Sequence, residues 1–130
     1  MNVSIVGTGP AGLYLGILLG KADPAHEIRI MERNPPDATF GWGVVFSDET
    51  LGQLRDADPQ TYVEITDTFV RWDAVDIRYR GRLLRSRGHA FSAIARTQLL
   101  AILQRRCEEL GVKLEFGVEV SVYTKDLAEP

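Results

Sequence analysis

At 130 residues, 45% hydrophobic and 25% charged, the chain has the composition of an ordinary globular domain, which excludes a disordered or fibrous protein. A net charge of −3 gives no electrostatic reason to expect nucleic acid or an anionic membrane as partner, although local basic clusters could hold phosphates. A single cysteine rules out an intrachain disulfide, and the longest apolar run, residues 11–19, is far below the roughly 20 residues that span a bilayer. The chain opens on a strand without the features of a secretory signal, so a reducing compartment, the cytoplasm, is expected.

Residues 3–6 read as a buried strand that runs into Gly7-Thr8-Gly9-Pro10-Ala11-Gly12, a G-x-G-x-x-G spacing. A helix over 10–21 follows, carrying Leu13, Leu15, Ile17, Leu18 and Leu19. Strand, glycine turn and helix in that order form the context a dinucleotide fingerprint needs. Gly7 permits the tight turn, Gly9 the approach of a pyrophosphate to the backbone, and Gly12 the close packing of helix on strand. The anion would sit on the helix N-terminus, where the first N–H groups lack intrahelical partners and Pro10 has none to lose. The helix is apolar nearly all round, which predicts burial. After a return loop over 22–27, in which His26 reads as solvated, residues 28–31 form a second strand ending in Glu32. That carboxylate lies 20 residues after Gly12, where it can accept ribose hydroxyls, and the segment closes a right-handed βαβ unit. The competing reading is a glycine turn of another α/β protein with a chance carboxylate.

Asn34-Pro35-Pro36-Asp37-Ala38 breaks regular structure. Residues 39–48 then set Phe40 and Trp42 among glycines, as in a flexible loop shaped for a flat ring ligand; alternatively these two aromatics plug the core. Ser47 or Asp48 caps a helix over 48–56 with Leu51 and Leu54 inward, and another helix is expected over 59–65. From Phe69 the pattern has period two and turns at Arg80-Gly81-Arg82, predicting a β-hairpin. Its arginines, Arg71, Arg78, Arg80, Arg82, Arg85 and Arg87, form a solvated face or, in the sharper alternative, meet a phosphate-bearing substrate. Residues 88–95 read as a loop or short strand before a helix over 96–110 that stops at Gly111. Leu99, Leu103, Cys107 and Leu110 share one face of it, which makes Cys107 a core thiol. Val112, Leu114 and Phe116 predict a strand, and Val118, Val120 and Val122 one more. No metal-ligand spacing or serine nucleophile elbow is present, so no metal site is expected.

Gly7-Thr8-Gly9-Pro10-Ala11-Gly12-Leu13, then Glu32-Arg33, then Ile94-Ala95-Arg96 before a leucine-rich helix resemble the opening of the single-component flavoprotein aromatic hydroxylases. Glu32-Arg33-Asn34 followed by residues 40–48, with Trp72-Asp73, Arg80-Gly81-Arg82, Gly88-His89 and residues 103–112, resembles the branch that hydroxylates salicylyl-CoA and 2-aminobenzoyl-CoA. The violacein-pathway flavin hydroxylases share a Gly-Trp-Gly-Val-Val stretch, so that motif does not by itself select a CoA thioester.

The resemblance implies a Rossmann-like α/β FAD-binding βαβ fold with an inserted β-hairpin, residues 1–130 being the N-terminal portion of a larger flavoprotein. It implies a monooxygenase that uses NAD(P)H and O2 to hydroxylate an aromatic substrate, with FAD as cofactor. It also implies roles residue by residue. Gly7, Gly9, Pro10, Ala11 and Gly12 would line the pyrophosphate, Glu32 the adenosine ribose, and Arg33 the adenosine flank. Arg96 would reach the ribose or pyrophosphate, with Trp42 and Gly43 near the flavin. No catalytic residue follows from it. Gly41-Trp42-Gly43 stands where many relatives carry an arginine, and the family's later Asp-Gly and Gly-Asp motifs do not occur in these residues. An unpaired edge at the first strand is therefore expected, inviting self-association. Outside the family, a non-catalytic dinucleotide-binding module or an NAD-binding domain would carry the same fingerprint.

Overall fold

The computed structural model describes residues 1–121. In chain order its elements are β1 (Asn2–Val6), α1 (Pro10–Ala22), β2 (Glu27–Glu32), β3 (Gly43–Ser47), α2 (Asp48–Ala57), α3 (Pro59–Thr68), β4 (Val70–Tyr79), β5 (Arg82–Ala95), α4 (Arg96–Glu109) and β6 (Lys113–Phe116). They fall into two compact units. One comprises Met1–Ala38 with the described residues from Gln104 onward, the other Thr39–Leu103.

The first unit is built on a parallel sheet of order β1-β2-β6, with Ile5 opposite Ile30 and Ile30 opposite Leu114. Alternation decides which face is covered: Ile5, Ile28 and Ile30 are buried while Ser4 and Arg29 point to the other side. Parallel neighbours need a crossover, and α1 supplies the one between β1 and β2. Its Leu13 and Ile17 are fully buried, each burial contributing about 1.5–3 kcal/mol. Gly12, Gly16 and Gly20 recur every fourth residue and bring the helix close to its neighbours; a Cβ on Gly16 would stand 2.9 Å from Ile30 Cδ1. The expectation of burial all round is corrected: Leu15 is 47% exposed and Ala11 is exposed, because only one face of α1 has a partner among the described residues of this unit.

Cys107 is the core thiol expected from its helical register. It is fully buried and its Sγ donates to the Leu13 carbonyl at 3.2 Å. Burial first, then the Glu108 charge, pushes the thiol up to about 12, which leaves it protonated and inert at neutral pH. Beyond β6 the predicted last strand is not formed at Val118 and Val120; Val122 lies outside the described residues. The Val118 N–H instead donates to the Glu32 carbonyl at 2.9 Å, tying this segment to the end of β2.

The second unit has an antiparallel sheet of order β3-β5-β4, with α2 and α3 between β3 and β4 in the chain. Two sequence expectations are corrected here. Residues 43–47, read as part of a loop, form β3, held against β5 from Gly43 opposite Ala95 to Ser47 opposite Phe91. Residues 88–95, read as a loop or short strand, continue β5, which therefore runs 14 residues. The register shifts opposite Trp72 and Ala74, and Gly88 takes φ +85 there, so the apparent break is a bulge inside a strand. The hairpin turn is as expected: Arg80 and Gly81 have φ of 47 and 76, the left-handed pair that matches the twist of the flanking strands. Ser47 caps α2 by accepting from the Thr50 N–H at 3.3 Å, and Leu51 is buried beneath it.

Candidate functional site: a glycine turn, a carboxylate and an arginine

In the first unit the chain leaves β1 at Gly7, whose φ of +101 only glycine adopts without strain and whose N–H donates to the Met31 carbonyl at 2.7 Å. Gly12 sits in the first turn of α1, and a Cβ there would lie only 2.2 Å from the Gly7 carbonyl oxygen. Both glycines are thus required by the fold itself. Gly9 differs. As N-cap of α1 it has an ordinary φ of −65, and a Cβ on it would meet nothing within 4 Å. No side chain caps α1 and its first turn holds no acid, so the helix itself supplies nothing to answer the partial positive charge at its start. Pro10 occupies the first helical position and Ala11 is exposed beside it.

Glu32 ends β2 within reach of this turn. One carboxylate oxygen accepts from the Thr8 N–H at 3.0 Å and the Thr8 hydroxyl at 3.3 Å; the other accepts from the Asn34 N–H at 2.9 Å and its Nδ2 at 2.8 Å. The Asn34 and Thr8 backbone donors hold its pKa below the usual glutamate value, so the charge is fixed in place at neutral pH. Arg33 is exposed next to it. A cleft of about 240 Å³ opens here, lined by Val6, Gly7, Met31, Glu32, Arg33, Val118, Glu119 and Val120. The structure thus brings Gly7, Glu32 and Arg33 together and adds residues that sequence reasoning missed. Thr8 and Asn34 carried a weak signal, as polar residues inside the fingerprint and two after its acid. Val118 and Val120 carried none, since they enter through a backbone hydrogen bond.

In the second unit, Gly43 and Arg96 are joined at the β3–β5 margin. The Arg96 N–H donates to the Trp42 carbonyl at 3.2 Å, and a Cβ on Gly43 would press on the Ile94 carbonyl at 3.0 Å. Trp42 is 97% exposed and Phe40 75%, which corrects the reading of these rings as core plugs. Among the described residues Arg96 Nε is buried without a hydrogen-bond partner. A guanidinium N–H in that state costs about 1–3 kcal/mol, and an anionic ligand would satisfy it.

The structure thus sets an open helix start, a glycine whose missing side chain leaves only empty space, and a fixed carboxylate beside one cleft. The chain belongs to the FAD binding domain family, whose model matches residues 1–130. This bears out the flavoprotein resemblance read from the fingerprint, Glu32 and Arg96. It is 40% identical over 120 residues to salicyloyl-CoA 5-hydroxylase of Streptomyces sp, covering 92% of this chain and 23% of that protein. It is 30% identical over 117 residues to 3-hydroxy-4-methyl-anthranilyl-[aryl-carrier protein] 5-monooxygenase of Streptosporangium sibiricum, covering 90% and 33%. Among solved structures it superposes on CtdE in complex with FAD and a substrate, with a TM-score of 0.76 at 20% identity, over 96% of this chain and 32% of that one. The chain therefore spans between about a quarter and a third of the length of these relatives. Among the described residues no helix is long and apolar enough to cross a membrane.

Proposed function

We propose that this chain is the N-terminal, FAD-holding portion of an NAD(P)H-dependent monooxygenase that hydroxylates an aromatic ring presented as a CoA thioester. Gly9 carries the reading. The fold explains Gly7 and Gly12 without any ligand, whereas glycine at position 9 serves no contact or backbone angle of the protein. A pyrophosphate seated on the helix start supplies the missing reason. When bound, FAD would supply the activation of oxygen, once reduced by NAD(P)H.

The chain's own residues bind and orient. The first N–H groups of α1, beside Pro10, Ala11 and Gly12, meet the pyrophosphate. Glu32 accepts ribose hydroxyls, and the Thr8 hydroxyl at 3.3 Å is the weakest of its present donors and the one a ribose would replace. Arg33 and the valine-lined cleft flank the adenosine. Trp42, Gly43 and Arg96 are assigned to FAD as well, supported by the unpartnered Nε of Arg96. The substrate class rests on the relative named for salicyloyl-CoA; the second is named for an anthranilyl group on an aryl-carrier protein, which supports an aromatic ring held on a carrier. We place the protein in the cytoplasm, on the strength of its lone, buried thiol. Among the described residues β1 pairs with β2 alone, and this free edge supports self-association.

The experiment is a flavin-fluorescence titration of the chain and of Gly9→Val. Affinity for FAD should fall at least tenfold while the chain stays folded, the less favourable N-cap costing only about 1 kcal/mol of stability; equal affinity in the two would sink the assignment. A second reading is a dinucleotide-binding module without turnover, which the glycine turn and Glu32 would serve equally well. It predicts flavin binding without NADPH consumption when salicylyl-CoA is supplied.

A further inference from the structure

We infer that the outer half of the β4–β5 hairpin is the docking surface for the 3′-phospho-ADP end of a CoA thioester, with Arg78, Arg85 and Arg87 as its phosphate-binding residues. The inference rests on the reading of the substrate as an aryl-CoA and adds where that substrate's polyanionic end is held.

Charge distribution is the first observation. Residues 70–95 hold six arginines against two aspartates, a net of +4, within a chain whose total is −3, which leaves −7 for the rest. A merely solvated face usually intersperses both signs. Here the cations are segregated onto one hairpin of an otherwise acidic chain.

Register is the second. Ala74 stands opposite Arg87, Asp76 opposite Arg85 and Arg78 opposite Leu83. Side chains opposite one another, or two apart on one strand, share a face, so Arg78, Arg85 and Arg87 project together around Asp76. All three are exposed. Opposite Cβ atoms lie about 5 Å apart and same-face neighbours about 7 Å apart, a patch on the scale of a pyrophosphate plus one further phosphate.

The third observation is how Asp76 is used. Arg85 donates to it through Nε and Nη2, both at 2.6 Å. This fork fixes the guanidinium plane and leaves three of its five N–H groups for another acceptor. Its hydrogen bonds with Arg85, aided by the charges of Arg85 and Arg87, hold the Asp76 carboxyl below the usual range, so it stays an anchor at neutral pH. Arg78 and Arg87 form no ion pair among the described residues. One carboxylate therefore anchors Arg85, while Arg78 and Arg87 share its face without an ion pair among the described residues. A compact ligand with three phosphates matches this footprint better than an extended nucleic acid, which the acidic remainder of the chain repels.

The test is calorimetric titration of the chain with CoA, dephospho-CoA and a single-stranded oligonucleotide, repeated on the double variant Arg78→Gln, Arg87→Gln. Both positions are exposed and leave the Asp76–Arg85 pair intact, so the melting temperature and FAD affinity should not move. CoA is expected to bind more tightly than dephospho-CoA, to weaken with salt, and to lose at least tenfold in affinity in the double variant. Equal CoA affinity in chain and variant would overturn the hairpin site while leaving the aryl-CoA reading standing. Absence of CoA binding to the unaltered chain would overturn both. An oligonucleotide that binds as tightly as CoA and is lost in the same variant would show a nucleic-acid surface instead.

Discussion

The two units handle charge in opposite ways. In the first, one carboxylate, Glu32, receives four hydrogen bonds from Thr8 and Asn34, and the positive end of α1 is made of backbone alone. In the second, one carboxylate, Asp76, pairs with Arg85 on a face that also carries Arg78 and Arg87. On the proposed readings the first arrangement would recognise an anion by shape, with dipoles fixed before the ligand arrives, and the second by surplus charge on exposed side chains. Screening separates them. At about 0.15 M salt the Debye length is about 8 Å, so exposed guanidinium contacts weaken as salt rises, while short hydrogen bonds from backbone N–H groups change little. Flavin affinity should thus be nearly flat with salt and CoA affinity steep.

The largest effect expected is at Gly12, where the first arrangement is tightest. Alanine there places Cβ 2.2 Å from the backbone carbonyl oxygen of Gly7, which the tight turn holds in place. Alanine gains about 1 kcal/mol in helix propensity, but separating helix from turn costs more, and a net loss of roughly 3 kcal/mol or more is expected. Gly16→Ala is the internal control. Its Cβ meets the tip of Ile30, a flexible side chain, at 2.9 Å, so the loss should stay below about 1 kcal/mol. Urea melts of the two variants measure the difference. Equal stability would mean that α1 can shift away from the turn, and the rigid-cradle account would fall.

These same residues show what was legible in the sequence. The βαβ unit could be read because its signals are local: period-two apolar strands, a glycine spacing and a carboxylate at a fixed distance. Helix ends at Ser47 and Gly111 and the Arg80-Gly81 turn were legible for the same reason. β3 was not, since Gly41, Trp42 and Gly43 resemble a loop until Ile94 and Ala95 arrive from 50 residues away to pair with Val44 and Gly43. The long β5 was hidden by Gly88, whose meaning as a bulge exists only opposite β4. Val118 and Val120 were misread because their alternation imitates a strand, while the hydrogen bond that places them, to the Glu32 carbonyl, leaves no trace in residue type.

The next effect in size tests whether the Glu32 charge is wired as described. Its donors lower its pKa in the folded chain below the ordinary value of 4.5, so the ionised form contributes stability that is fully present above about pH 4.5. That contribution is lost as pH falls through the lowered folded value. Glu32→Gln keeps the shape and removes the charge, and should cost about 1 kcal/mol at neutral pH. The gap between chain and variant should then close as pH falls below 4.5 through that lowered value, read from urea melts at falling pH. A gap that stays constant with pH would show that Glu32 acts through packing rather than charge. FAD affinity of the variant should fall as well, since an amide offers ribose one acceptor oxygen in place of two.

The smallest effect is expected in the second unit, where ion pairs are exposed. Arg71 Nη2 contacts Asp48 Oδ1 at 2.6 Å, yet the side chains are 57% and 52% exposed. Water and salt screen such a pair, and holding two mobile side chains together costs entropy, so Arg71→Gln should change stability by less than about 0.5 kcal/mol. The variant removes a cation from the base of the hairpin but leaves Arg78, Arg85 and Arg87 in place. CoA affinity should therefore change little, whereas a general field of positive charge would lose affinity with every arginine removed, wherever it stood. Parallel titrations of Arg71→Gln and of the Arg78, Arg87 double variant distinguish a built phosphate site from such a field: comparable loss per arginine in both would reduce the hairpin to non-specific attraction.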